Sequence, residues 1–180
     1  MRFAGAGIAA ALMLPALGGP AAASAAPNAT ITRSAPVAYG TCPARSVVVT
    51  VTVPTKPFRP GEMVQYEVTI RNRSGQTCGP DHGPVARVGD EPGIFGPCGP
   101  LPLRIVNTRG VAVYPPPEAI SCPALLGPRL RGHQMLSAGG SWAQNQGGGR
   151  PARVGYQVPR GTYRLTIANK VSVPLVLSRP

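Results

Sequence analysis

Hydrophobic and polar residues alternate strictly after the Pro60-Gly61 turn. Because side chains alternate between the two faces of a β-strand, this pattern predicts a strand over Glu62–Asn72 with one face on a core. The residues directed to the core in this prediction are Val64, Tyr66, Val68 and Ile70. The polar turn residues from Asn72 to Gly75 end the strand.

Other short stretches of β-branched or alternating residues predict further strands. They are Ser46–Val53, Leu101–Val106 with Val111–Tyr114 as a hairpin, Arg153–Gln157, Gly161–Ala168 and Val171–Leu177. Two weaker candidates, Gln134–Leu136 and Ser141–Asn145, flank a Gly-Gly pair. With 23 Gly and 23 Pro opposing long helices, seven or eight short strands predict an all-β chain with an immunoglobulin-like antiparallel β-sandwich; a barrel is the alternative.

The N-terminus has the pattern of a secretory signal peptide. A positive start at Arg2 precedes the apolar run Phe3–Leu17, and small alanines follow up to Ala25. This predicts a signal peptide at residues 1–25, with an uncleaved membrane anchor as the alternative. Residues 26–41 show no sustained period and are expected to form an N-terminal arm, and residues 42–180 form the domain. The protein is therefore expected to be secreted or attached to the cell envelope.

The four cysteines predict two disulfides in an exported chain. Opposed residues of an antiparallel hairpin share a constant mean position, which falls at the turn. Cys42 and Cys78 average to the Pro60 turn, and Cys98 and Cys122 average to the turn of the second hairpin. The expected bonds are therefore Cys42–Cys78 and Cys98–Cys122. A zinc site with four cysteines is disfavoured because no Cys-x-x-Cys pair is present.

The charge balance is strongly basic, with 18 Lys and Arg against 6 Asp and Glu. Loss of Arg2 with the leader would lower the net charge from +12 to +11. Guanidinium groups hold carboxylate or phosphate through paired hydrogen bonds, so an anionic envelope polymer, lipid headgroups or another envelope protein are the expected partners; the alternative is a solvated basic surface that has no dedicated ligand. Nucleic acid is excluded as a partner by the exported compartment. The candidate binding residues are Arg71, Arg73, Arg104, Arg129, Arg131 and Arg164.

No pattern for catalysis, metal or cofactor binding is found. The two histidines, His82 and His133, lie in turn-rich stretches, and no Gly-x-Ser-x-Gly motif is present. The six acidic residues are scattered and form no acid–base pair. A non-catalytic protein without a metal or cofactor is expected, and an enzyme would require one of the histidines in a cleft beside a carboxylate or hydroxyl. The single tryptophan, Trp142, is expected in the core or under a loop.

Two stretches resemble known families. G-E-M-V-Q-Y-E-V-T-I-R-N-R-S-G at 61–75 resembles the second strand of secreted bacterial immunoglobulin-like domains, many of unknown function. L-S-A-G-G-S-W at 136–142 with V-P-R-G-T-Y-R-L at 158–165 is similar to the β-sandwich of the bacterial intracellular proteinase inhibitors. That second resemblance implies a tyrosine-corner role for Tyr163.

The function expected from these features is non-catalytic binding through a basic surface. The alternative is an extracellular protease inhibitor that presents a proline-stiffened, disulfide-anchored loop, either Gly79–Pro97 or Pro115–Gly132. The sequence favours the binding domain because it offers no residue that matches an inhibitory reactive site.

Overall fold

The structure is a computed structural model that describes residues 29–87, 89–90, 94–96, 99–115, 127–145 and 157–178. The predicted signal peptide at residues 1–25 lies outside these ranges, as do Cys98 and Cys122. Within these ranges, no helix has the length and apolar character needed to span a bilayer.

The described residues form eight strands in two four-stranded antiparallel sheets. The strands are β1 (Thr30–Tyr39), β2 (Cys42–Pro54), β3 (Val64–Asn72), β4 (Leu103–Asn107), β5 (Ala112–Tyr114), β6 (Met135–Trp142), β7 (Gly161–Ile167) and β8 (Val171–Leu177). The first sheet has the order β1-β2-β3-β6 and the second has the order β5-β4-β7-β8. The all-β prediction is confirmed.

The buried faces of the two sheets share one hydrophobic core. On β3, Val64, Val68 and Ile70 are buried as the alternation predicted, and Tyr66 is half-buried. On β7, Tyr163 and the apolar residues two and four positions further along the strand are also buried. Burying such a side chain contributes about 1.5–3 kcal/mol, so the two-residue period of the sequence fixes which face of each strand turns inward.

Hydrogen bonds at the end of β3 show which of its backbone groups pair with β2 and which pair with β6. The Asn72 N–H donates to the Gln134 carbonyl at 2.9 Å, and the Arg73 N–H donates to the Ser46 carbonyl at 2.7 Å. Because antiparallel ladders alternate, even-numbered residues of β3 bond to β6 and odd-numbered residues bond to β2. Both backbone edges of β3 are therefore occupied.

The predicted disulfide between Cys42 and Cys78 is present, with an S–S distance of 2.08 Å. It joins the first residue of β2 to the segment after β3, and the two strands pair about a centre between Arg59 and Pro60, half a position from the expected one. Beside the disulfide, Gly40 has a φ of +57°, and a Cβ on it would lie 1.9 Å from the Gly79 carbonyl oxygen. This backbone contact can be made only by glycine.

Two segment predictions are wrong. Residues 26–41 were expected to be an arm, yet β1 pairs with β2 over nearly its whole length. Inward positions of β1 include Ala35, Val37 and Tyr39, and an exposed arginine and small residues obscured this period in the sequence. The two weak strands expected around Gly139-Gly140 are a single strand, β6, because pairing with β3 holds the glycines extended.

The prediction of a strand at Arg153–Gln157 falls mostly outside the described residues. Its last residue, Gln157, forms an isolated antiparallel bridge with Asn145. The β4–β5 hairpin and the strands β7 and β8 are confirmed close to their predicted bounds.

Candidate anion-binding site

The six candidate arginines do not form one surface. Arg71 lies on the outer face of β3, in register with Met135, and Arg73 follows the end of that strand. Arg129 and Arg131 lie on the segment that leads into β6, at the same end of the first sheet. We call this region, comprising Arg71, Arg73, Arg87, Arg129 and Arg131, the basic end.

The remaining two candidates lie on the outer face of the second sheet. Arg104 on β4 pairs with Thr166, and Arg164 on β7 pairs with Val106. Both arginines are exposed. The first and second sheets turn their outer faces in opposite directions, so Arg104 and Arg164 are separated from the basic end by the core. Arg104 and Arg164 therefore serve as the control pair for the arginines of the basic end.

The basic end is held together by the buried side chain of Asn72, which is 0% exposed. Its Nδ2 donates to the carbonyls of Gln76 at 2.7 Å and Arg131 at 2.9 Å. Its Oδ1 accepts from the backbone N–H and the hydroxyl of Ser74 at 3.0 and 2.8 Å. One amide therefore ties the turn after β3 to the segment that carries Arg131.

A groove of about 520 Å³ opens at the basic end. Its lining includes Pro84, Val85, Arg87, Asp90 and Arg131. The Asp90 Oδ2 accepts a hydrogen bond from the Arg87 backbone N–H at 2.8 Å, which closes a tight turn. This hydrogen bond fixes the carboxylate in place within the lining, where two guanidinium groups stand against one acidic side chain.

Arg129 lies beneath this groove with its backbone fully paired. Its N–H donates to the Pro84 carbonyl and its carbonyl accepts from the Ala86 N–H, both at 2.6 Å. Its side chain packs on Gly79 and Gly83, where a Cβ on Gly79 would come within 2.8 Å of the Arg129 Cα. Among the described residues, its buried Nε has no hydrogen-bond partner. The sequence candidate Arg129 is thus partly structural.

The residue that sequence reasoning missed is Arg87. It lies in the long proline-rich region between β3 and β4, where no strand period indicates which side chains converge. The bridge between Val85 and Arg129 brings it to the groove. The only sequence signal was the turn pattern R-V-G-D at 87–90, which reports local geometry and not a neighbour 44 positions away.

The histidines and the candidate inhibitory loop are placed as follows. His82 and His133 are both exposed on turns. The first part of the Gly79–Pro97 loop is bound against Arg129 by backbone hydrogen bonds, and Ile94 is buried in the core. Residues 116–126 of the second candidate loop lie outside the described residues.

Trp142 is a core residue, as predicted, with 0% of its surface exposed. Its indole Nε1 donates to the Asn145 carbonyl at 2.8 Å, and its ring meets Tyr163 edge-on at 5.9 Å between centroids. Burial raises the pKa of Tyr163, and burial with the nearby Tyr114 raises the pKa of Tyr66 to about 12. These phenols stay neutral at physiological pH and add no negative charge to the molecule.

The chain matches no protein-family model, no curated protein and no solved structure. The geometry of the basic end is therefore the basis for assigning a function to the protein.

Replacing Asn72 by alanine is expected to lower the free energy of unfolding by about 2–4 kcal/mol, because the buried carbonyl of Leu130 and the partly buried carbonyls of Gln76 and Arg131 lose the Nδ2 donor. The matched control is Asn107→Ala, since the Asn107 Oδ1 also accepts two backbone N–H groups, at 3.0 Å each, in an exposed hairpin turn. That control is expected to cost about 1 kcal/mol. Denaturant unfolding of both variants measures the difference, and equal losses would contradict the central role of Asn72.

Proposed function

We propose that this chain is a secreted or envelope-associated, non-catalytic binding domain that holds an anionic partner at its basic end. The observation that carries the proposal is the groove that is lined by two arginines, Arg87 and Arg131, against one acidic residue, Asp90. Guanidinium groups bind carboxylate and phosphate oxygens through paired, charge-assisted hydrogen bonds. The net charge of the mature chain, +12 less the charge of Arg2, or +11, adds long-range attraction for such a partner.

The proposal includes an immunoglobulin-like β-sandwich. Two antiparallel four-stranded sheets around one core support it, as does the Tyr163 hydroxyl, which donates to the Pro159 carbonyl four residues upstream. A tyrosine-corner hydroxyl makes this kind of backbone contact in immunoglobulin-like domains. The second disulfide, Cys98–Cys122, remains part of the proposal.

The partner is expected among the anions of an extracellular compartment. Phospholipid headgroups and phosphate-bearing polymers offer phosphate, and acidic proteins offer carboxylates. The Arg87–Arg131 groove is open enough for a headgroup or an acidic side chain and does not by itself distinguish them. Vesicles of phosphatidylglycerol, vesicles of phosphatidylcholine and soluble poly-glutamate separate these sources.

The test is binding of the mature chain to each probe at low and high salt. The double variant Arg87→Gln/Arg131→Gln is expected to weaken binding to the preferred anionic probe at least tenfold, about one lost charge-assisted contact or more. The matched control, Arg104→Gln/Arg164→Gln, removes the same charge from the opposite face and is expected to weaken binding less than about threefold.

Two results would overturn the proposal. Absence of binding to every anionic probe at low salt would remove the electrostatic basis. Equal weakening by the two double variants would show that the net charge acts diffusely and that the groove is not a site.

A further inference from the structure

Three of the four sheet edges in the described structure carry a feature that interrupts pairing with a further strand. On β1, odd-numbered residues bond to β2, as the 2.8 Å bond from Thr55 N–H to the Ala29 carbonyl shows, so even-numbered residues face the edge. One of these is Pro36, which has no N–H to offer. β5 has three residues and ends before Pro115. Natural proteins use such devices to prevent unwanted strand pairing.

The edge of β8 is interrupted by similar features. The Phe58 N–H donates to the Val176 carbonyl at 2.8 Å, and the Ser178 N–H donates back to Phe58 at 2.8 Å. Even-numbered residues of β8 therefore face the edge, and Pro174 occupies one of those positions. A neighbouring segment covers one end of this edge and a proline interrupts the rest.

The edge of β6 that faces away from β3 has no such protection. Even-numbered residues of β6 bond to β3, so the N–H and carbonyl groups of four residues point outward: Met135, Ser137, Gly139 and Ser141. No residue in the described ranges hydrogen-bonds to these groups. Met135 is 60% exposed, and Ser137 and Gly139 are also exposed. The strand carries neither a proline nor a charge.

The side chains along this edge leave room for another backbone. The sequence M-L-S-A-G-G-S-W is small through its middle, and a Cβ placed on Gly139 would meet no atom within 4 Å. A side chain of an added strand, at the ordinary spacing of about 4.8 Å, would therefore meet no bulky neighbour beside Gly139 among the described residues. The four outward-facing residues match an extended segment of about eight residues.

This edge leads directly to the basic end. The backbone of Leu130 bonds to Cys78 on the β3 side, whereas the backbone of Arg129 bonds to Pro84 and Ala86 on the other side. The segment Pro84–Ala86 therefore lies next to Arg129 in the same position that an added strand would take next to β6. Gln134 directly precedes β6, and its Nε2 donates to the Ala86 carbonyl at 3.0 Å. This bond marks the point where the segment Pro84–Ala86 ends and the free edge of β6 begins. Arg87 and Arg131 stand at this junction.

We propose that the free edge of β6 binds an extended segment of a partner protein as an added antiparallel strand, with acidic residues at the C-terminal end of that segment seated between Arg87 and Arg131. An antiparallel strand runs from the Trp142 end of β6 to its Met135 end, so its C-terminus arrives at the groove. Backbone hydrogen bonds hold the segment, and the groove selects its charge. The charge selection rests on the proposed function, whereas the strand pairing does not.

The first experiment uses the octapeptide Thr-Val-Thr-Val-Thr-Val-Glu-Glu, with a free C-terminus, as the probe for binding to the mature chain. A matched peptide ends in Lys-Lys-amide and is expected to bind at least tenfold more weakly. Two further peptides carry N-methyl groups on alternate amides. Methylation of the set that faces β6 is expected to abolish binding, and methylation of the other set is expected to change it less than about threefold. If charge alone held the peptide, the two methylated peptides would bind equally well.

The second experiment changes the strand. Gly139→Pro removes an outward N–H that the β3–β6 pairing does not use, so the fold is retained and peptide binding falls at least tenfold. Gly139→Ala keeps the N–H and is the matched control, with binding within about twofold of the original. Circular dichroism and thermal unfolding establish that both variants are folded. Vesicle binding is expected to be unchanged in Gly139→Pro, which separates this test from that of the proposed function.

Hydrogen exchange of the free protein decides whether the edge is open. The amides of Ser137, Gly139 and Ser141 are expected to exchange rapidly and to become protected when the peptide binds, while those of Leu136 and Ala138 stay protected throughout. Protection of the first group in a free monomer would overturn the proposal, because the chain itself would cover the edge. A dimer by light scattering that Gly139→Pro dissociates would also overturn it, in favour of a second copy. Peptide binding that is indifferent to Gly139→Pro and to N-methylation would overturn it as well.

Discussion

Replacing both Cys42 and Cys78 by alanine is expected to lower the free energy of unfolding by about 4 kcal/mol. The bond spans a sequence separation of 36, and a link over such a loop restricts the unfolded chain by that amount in the chain-entropy description. This loss is a large part of the stability of an ordinary domain. Denaturant unfolding, monitored by tryptophan fluorescence, measures it.

The same change made with valine is the control for packing. Cys42 and Cys78 are 5% and 0% exposed, so alanine also removes a little buried volume, which valine restores. Similar losses in the two double variants would assign the effect to the covalent link. A loss below about 1 kcal/mol in both would contradict the prediction.

Replacing Trp142 by alanine is expected to cost about 3–5 kcal/mol, because a fully buried aromatic side chain leaves a cavity between the sheets. The variant Trp142→Phe keeps an aromatic ring but leaves the Asn145 carbonyl without the indole donor. Its expected cost is about 1–3 kcal/mol. Urea unfolding followed by circular dichroism measures both variants, since they lack the only tryptophan.

Met135, at the other end of β6, provides the comparison for Trp142. Its side chain is 60% exposed, and Met135→Ala is expected to change stability by less than about 0.5 kcal/mol. If Trp142→Ala cost no more than Met135→Ala, the position of Trp142 in the core would be wrong.

The sequence was most informative where strand period and turn chemistry agreed. β3 and β7 were predicted with the correct buried face, and the Pro60 turn predicted the partner of Cys42. In both strands, local alternation and long-range burial favour the same arrangement. A strand can be predicted from its sequence where local preference and tertiary packing favour the same structure.

The prediction failed where tertiary pairing decided the structure. The glycines of β6 weaken any local strand signal, and only pairing with β3 explains why Gly139 and Gly140 stay extended. β1 was missed for a related reason. The strand face that carries the buried Val37 and Tyr39 also carries the small Ala35 and the exposed Arg33, so the sequence shows no clear alternation. Pairing with β2 nevertheless makes the whole segment a strand.

The candidate site was predicted in part. Arg71, Arg73, Arg129 and Arg131 meet at one end of the first sheet, whereas Arg104 and Arg164 lie on the opposite face. Composition reports how many arginines a chain has, but their grouping depends on loop paths. Arg87 reaches the groove through a bridge between segments 44 residues apart, for which the sequence holds no local signal.

The approach of Gly40 to Gly79 has a consequence for which changes this protein tolerates. The two glycines stand beside the bonded cysteines, and their backbones touch where even a methyl group would collide with a carbonyl. A mutation that adds any side chain at Gly40 would push its backbone away from that of Gly79 and so oppose formation of the disulfide between Cys42 and Cys78. A mutational screen scored by the yield of folded protein would therefore group Gly40 with Cys42 and Cys78 as one intolerant set, although no sulfur atom is altered at Gly40.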